Sequence, residues 1–168
     1  MYVNLIFLAV FIGYSVGTAP VIGYHYGAGH NDELKSLLKK SVVIIGVFSV
    51  LMTLAGEILS YPIALLFVGY DSGLMNLTLD AFKIFSFSFL FSGFSIMGSS
   101  FFTALGNGLT SALISFLRTL VFQVIAVVLL PVILGYQGIW LSVVIAEMMT
   151  VAVTTAFILN NRNTYHYL

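Results

Sequence analysis

The sequence predicts an all-α membrane protein, a bundle of five transmembrane helices. Composition is the first reason: of 168 residues, 60% are hydrophobic and only 7% charged, with a mean hydropathy of +1.10. A soluble domain uses roughly a quarter charged residues to cover its surface, so lipid is the solvent this chain accepts. The second reason is distribution. Apolar residues gather into five runs, at about 3–26, 36–67, 79–104, 109–134 and 138–159, each longer than the ~20 residues that cross a ~30 Å hydrocarbon core. Thirdly, turn residues punctuate the runs: Gly27-Ala28-Gly29, Gly69-Tyr70-Asp71-Ser72-Gly73, Gly106-Asn107-Gly108 and Gly135-Tyr136-Gln137-Gly138.

The first run carries Pro20, which removes a backbone donor and can kink a helix. Ala9, Gly13 and Gly17 recur every four residues, a small-xxx-small pattern that lets helix backbones approach. The run ends in Tyr24-His25-Tyr26. Aromatics there form an interfacial belt; the alternative for His25 is an imidazole titrating near neutrality.

The second run opens on Asp32 and Glu33, which favour the positive end of a helix. Lys35 and Lys39 lie opposite Leu34, Leu37 and Leu38, which reads as an amphipathic lead-in lying along the headgroups. Glu57 falls near the far boundary and Pro62 follows, so the helix is expected to turn along the interface there.

The third run contains "FSFSFLFS", which alternates with the period of a strand. The run is too long for one strand of a barrel, and the other four do not alternate, so it is expected to be helix. As a helix it aligns Ser88, Ser92, Ser95 and Ser99 on one stripe. That stripe either packs closely against a neighbouring helix or faces an aqueous cavity.

The last two runs each hold a deep charge. Arg118 lies about nine residues into its run and Glu147 about nine into the next, roughly 14 Å in. Such a charge is a functional-site hypothesis by default. Counted from a turn centred near Gln137, Arg118 is about eight residues further away than Glu147. The implied offset of about 12 Å excludes a direct contact. Arg118 is then expected to snorkel to the headgroups as an anchor. Glu147, with no such escape, has either a proton-coupling role or a hydrogen-bonded packing role.

Other function classes find no support. The net charge is zero, so composition gives no argument for nucleic-acid binding, and there is no cysteine. No P-loop, G-x-S-x-G or H-E-x-x-H occurs, so no catalytic residue is expected. No second ligand is spaced to make a metal site with His25, no cofactor is implied, and His30 and His166 fall in a loop and in the tail. Lys35, Lys39, Lys40 and Arg162 place the 27–35 loop and the C-terminus in the cytoplasm. Five spans then put the N-terminus outside with almost nothing before the membrane, which implies a piece of a longer protein.

Three stretches extend the reading. "APVIGYHYGAGHNDELKSLLKKS" resembles the motif after the second helix of each lobe of multidrug and toxic compound extrusion (MATE) transporters, with Pro20, Tyr24, His25, Tyr26, Gly27 and Ala28 at its heart. "FFTALGNGLTSALISFLR" resembles the turn between the fourth and fifth helices of that lobe, and "LGYQGIWLSVVIAE" the start of its last helix. The resemblance implies helices eight to twelve of a two-lobe, twelve-helix fold, and hence a partner: the missing N-terminal lobe. It also implies exchange of Na⁺ or H⁺ for small organic, often cationic, compounds across the plasma membrane, with this chain alone inactive. One departure stands out: "LFSGFSIMGSSFF" has no carboxylate where some members carry one for cation coupling, so the coupling ion stays unassigned. A lipid-linked oligosaccharide flippase of the same superfamily and a non-transporting subunit are the alternatives.

Overall fold

A computed structural model describes residues 2–165 and 167, with side chains from Asn4 onward; His166 lies outside the described residues. Seven α-helices follow one another: α1 (Tyr2–Gly27), α2 (Asn31–Val68), α3 (Ser72–Ser86), α4 (Phe89–Ala104), α5 (Gly108–Phe116), α6 (Gln123–Leu134) and α7 (Gln137–Tyr165). A π-helical segment, Leu117–Phe122, joins α5 to α6 without a break in the span. Among the described residues four continuous helical stretches are long and apolar enough to cross a membrane, and α3 with α4 passes the same test as a pair bent by 46°.

The turns fall where their chemistry requires. Gly29 and Gly106 adopt φ of 70° and 76°, the left-handed conformation that glycine reaches without a Cβ clash. Asp71 caps α3 by accepting from the N–H groups of Gly73 (2.7 Å) and Leu74 (3.1 Å). Asn107 does the same for α5 through the Thr110 N–H, at 3.1 Å.

α4 is the hub, packed against α1, α2, α5 and α7. Its glycines make that possible. A Cβ on Gly93 would lie 2.8 Å from the Phe11 ring and 2.9 Å from Ile45, and one on Gly98 would overlap Thr154. Phe11, Ile45, Phe101, Phe102 and Ile114 close the core around these contacts. By contrast Gly13 and Gly17, expected to let helices approach, have no atom within 4 Å of the Cβ position. Their face of α1 is exposed.

Two local expectations need correction. "FSFSFLFS" is helical but not one helix: the chain bends at Phe87 and Ser88, between α3 and α4. Ser86 donates to the Phe82 carbonyl at 2.7 Å, and such back-bonding competes with the helical ladder and bends helices. Secondly, the lysine-bearing lead-in does not lie along the headgroups. It is the first part of a single 38-residue helix that also runs through Pro62. Leu34 and Leu38 are buried in the protein core, while Lys35, Lys39 and Lys40 are exposed. The leucine face packs on protein rather than lipid because α1 and α4 offer it an apolar surface.

Candidate functional site

Glu147 sits on the buried face of α7 together with Ser142, Val144, Ala146, Thr150 and Thr154. Arg118 enters from the π segment, a rare geometry that recurs at functional sites. The two side chains form a fork. Nε–H of Arg118 donates to both Glu147 oxygens, at 3.0 and 3.2 Å, and Nη2–H donates to Oε1 at 2.7 Å. The Glu147 side chain is 8% exposed and that of Arg118 24%, so the carboxylate is enclosed and the arginine side chain is partly open.

The expectation that these residues stand too far apart is therefore wrong, and the cause is register. The last two spans are not level at the midpoint of their turn. A Cβ on Gly138 would overlap the Leu130 carbonyl and come 2.7 Å from the Pro131 nitrogen, so the first turn of α7 lies beside Leu130. Arg118 is twelve residues before Leu130 and Glu147 nine after Gly138. The remaining offset of three residues is about 4.5 Å, which an arginine stem covers. Nor is Arg118 a headgroup anchor: its charge is spent on Glu147. Each charge alone at mid-membrane costs about 2.5–3.5 kcal/mol on insertion scales; a bidentate pair offsets much of that with charge-assisted bonds.

The serine stripe divides. Ser88, Ser92 and Ser95 are buried; Ser92 and Ser95 donate to the Ser88 and Phe91 carbonyls of their own chain, at 2.9 and 3.4 Å. Ser99 reaches across to α5, sharing hydrogen bonds of 2.9 Å with Ser111 and 2.9 Å with Ser115. Thr103 joins Ser111 at 2.7 Å. This hydroxyl cluster between α4 and α5 ends at Ser115, one turn before Arg118. Ser111, Ser115 and Thr119 are not singled out above. Their four-residue spacing on an apolar run, beside Arg118, was the available signal.

The Tyr24-His25-Tyr26 motif closes α1. Tyr24 is 67% exposed, and the Ala28 and His30 N–H groups donate to the Tyr24 and His25 carbonyls at 2.9 and 3.0 Å. Pro20 lies inside the helix, which ends at Gly27. The His25 ring lies 5.7 Å from that of His30, and its Nδ1 is buried without a partner among the described residues. No cluster of three metal-ligating side chains occurs among the described residues. Beside this motif Tyr26 meets Tyr165 at 5.6 Å and Tyr167 meets Phe101 at 5.1 Å. Tyr167 is fully buried and donates to the Ile158 carbonyl at 2.8 Å. The end away from Lys35, Lys39 and Lys40 holds a cavity of about 620 Å³. Phe67, Phe82, Phe85, Phe89 and Trp140 line it, and the Trp140 indole N–H is buried without a partner among the described residues.

A family model, MatE, matches residues 1–129. The chain belongs to the MatE family. Its fold is that of solved MATE transporters. It superposes on an outward-facing multidrug resistance MATE family transporter of the MOP superfamily with a TM-score of 0.90 at 20% identity, covering 99% of this chain and 38% of that one. An inward-facing transporter of the same description matches with a TM-score of 0.89 at 20% identity, covering 98% of this chain and 38% of that one. A MATE solved in complex with MaL6 gives 0.89 at 19% identity, covering 99% and 38%. This MatE chain thus spans well under half the length of those transporters. Among curated proteins, none matches it.

Proposed function

We propose that the chain is part of a secondary antiporter that exports small organic, often cationic, compounds in exchange for Na⁺ or H⁺, with Glu147 as the carboxylate on which the coupling ion acts. A second lobe completes the transporter, and the lysine-bearing end faces the cytoplasm of a plasma membrane. One observation carries the assignment: Glu147 is a carboxylate enclosed within an apolar span and held by a single arginine, one helical turn from a cluster of hydroxyl side chains. Intramembrane carboxylates mark ion pathways. The match of one lobe architecture to both outward- and inward-facing structures supports alternating access in which this lobe moves as a body.

The test is efflux of a fluorescent cation from vesicles carrying the full transporter, with Na⁺ and pH gradients imposed separately. Wild-type efflux responds to one of them, and Glu147→Gln loses that response. An unchanged response in Glu147→Gln makes Glu147 a packing residue and overturns the assignment.

A further inference from the structure

We propose that Arg118 is a tethered competitor for the coupling cation: it occupies Glu147 in the cation-free state, and a monovalent cation, Na⁺ or a proton, takes its place. This rests on Glu147 being the coupling carboxylate. In the observed fork the guanidinium already uses both carboxylate oxygens, so it fills the site a cation needs. Pairing with Arg118 and loading with a cation are mutually exclusive.

The exchange needs a place for the released arginine and a way to move it. Ser115 of α5 and Thr119 of the π segment are both exposed, three residues before and one after Arg118. The π segment supplies the motion. The wider π turn sets the rotation of Arg118 relative to α6 and α7, and conversion to α would change that rotation. Charge balances at each step. The guanidinium neutralises Glu147 before, the cation neutralises it after, and Arg118 carries its charge toward the exposed hydroxyls of Ser115 and Thr119.

Other charges near α7 leave this assignment intact. Of the elements packed against it, α3 brings Asp80 and Lys83, both exposed. Lys83 borders a cavity of about 290 Å³ with Leu141 and Val144. The π segment brings Arg118, while α4, α5 and α6 bring no titratable side chain.

¹⁵N-arginine labelling of the full transporter in nanodiscs reports the Arg118 Nε–H, assigned as the signal that Arg118→Gln removes. Saturating Na⁺, or an imposed proton load, moves the Arg118 signal from its carboxylate-bonded position to the free one. A signal that moves under neither treatment overturns the proposal, and the shift is read in the unsubstituted protein. Arg118→Gln binds the same cation roughly tenfold more tightly or better, because a site blocked nine-tenths of the time loses tenfold in apparent affinity. Unchanged or weaker binding also overturns it. Glu147→Gln separates the two claims: wild-type cation binding in that variant removes the coupling site itself, whereas binding lost in that variant while the Arg118 signal of the unsubstituted protein stays immobile removes only the competitor.

Discussion

The Gly138 backbone lies against the Leu130 carbonyl, and this contact sets which residues of the last two spans face each other. No side chain fits between them. The ion pair twelve residues up one helix and nine down the next inherits its register from there. Gly138→Ala puts a methyl against backbone atoms that no rotamer change relieves. We expect a loss of about 1–3 kcal/mol, read as a lower melting temperature in detergent, together with loss of the carboxylate-bonded Arg118 signal.

Gly98 and Thr154 make the matching contact between α4 and α7. Gly98→Ala is expected to cost about 1–3 kcal/mol as well. Thr154→Ala in the same chain removes the methyl that a Cβ at 98 would strike. Thermal unfolding of the two single variants and the double variant gives a favourable coupling. Strictly additive losses contradict the packing described.

The ion pair has a comparable double-variant signature. Removing one partner leaves an uncompensated charge and costs about 3–5 kcal/mol, whereas replacing both with neutral groups is often near neutral. Arg118→Leu is therefore expected to destabilise the chain more than the double variant with Glu147→Leu, as measured by unfolding in mixed micelles.

Tyr167 predicts a pH limit. Burial, with a smaller contribution from Tyr165, pushes its phenol up to about 12 from 10.0. The unfolded segment therefore loses its proton first, and stability falls as pH rises. The packing of Tyr167 on Phe101 is fully stable below pH 10.0 and is lost as pH climbs toward about 12. Tyrosinate absorbance follows the transition. Tyr167→Phe abolishes the pH dependence and, by losing the bond to Ile158, costs about 1 kcal/mol at neutral pH.

Much of the architecture is legible in the sequence because lipid imposes a simple rule: long apolar runs become helices, and glycine turns join them. The MATE resemblance rests on the same kind of signal, a turn motif with its lysine-bearing helix start. The site was harder to read. Arg118 and Glu147 were visible as deep charges, yet their contact depends on a glycine-to-carbonyl approach and a π segment that no hydropathy pattern encodes. The bend at Phe87–Ser88 escaped for a related reason. Serine back-bonding is a local competition within a run whose composition is uniformly apolar. The packing of Tyr167 on Phe101 is not legible because the two residues lie far apart in sequence.

The most direct test of Glu147 as the coupling carboxylate compares two transport modes of the full transporter bearing Glu147→Gln. Gradient-driven efflux and gradient-free substrate exchange are measured in the same vesicles. We predict that exchange persists while the gradient no longer accelerates efflux. Gradient-driven efflux at the wild-type rate in that variant would contradict the assignment.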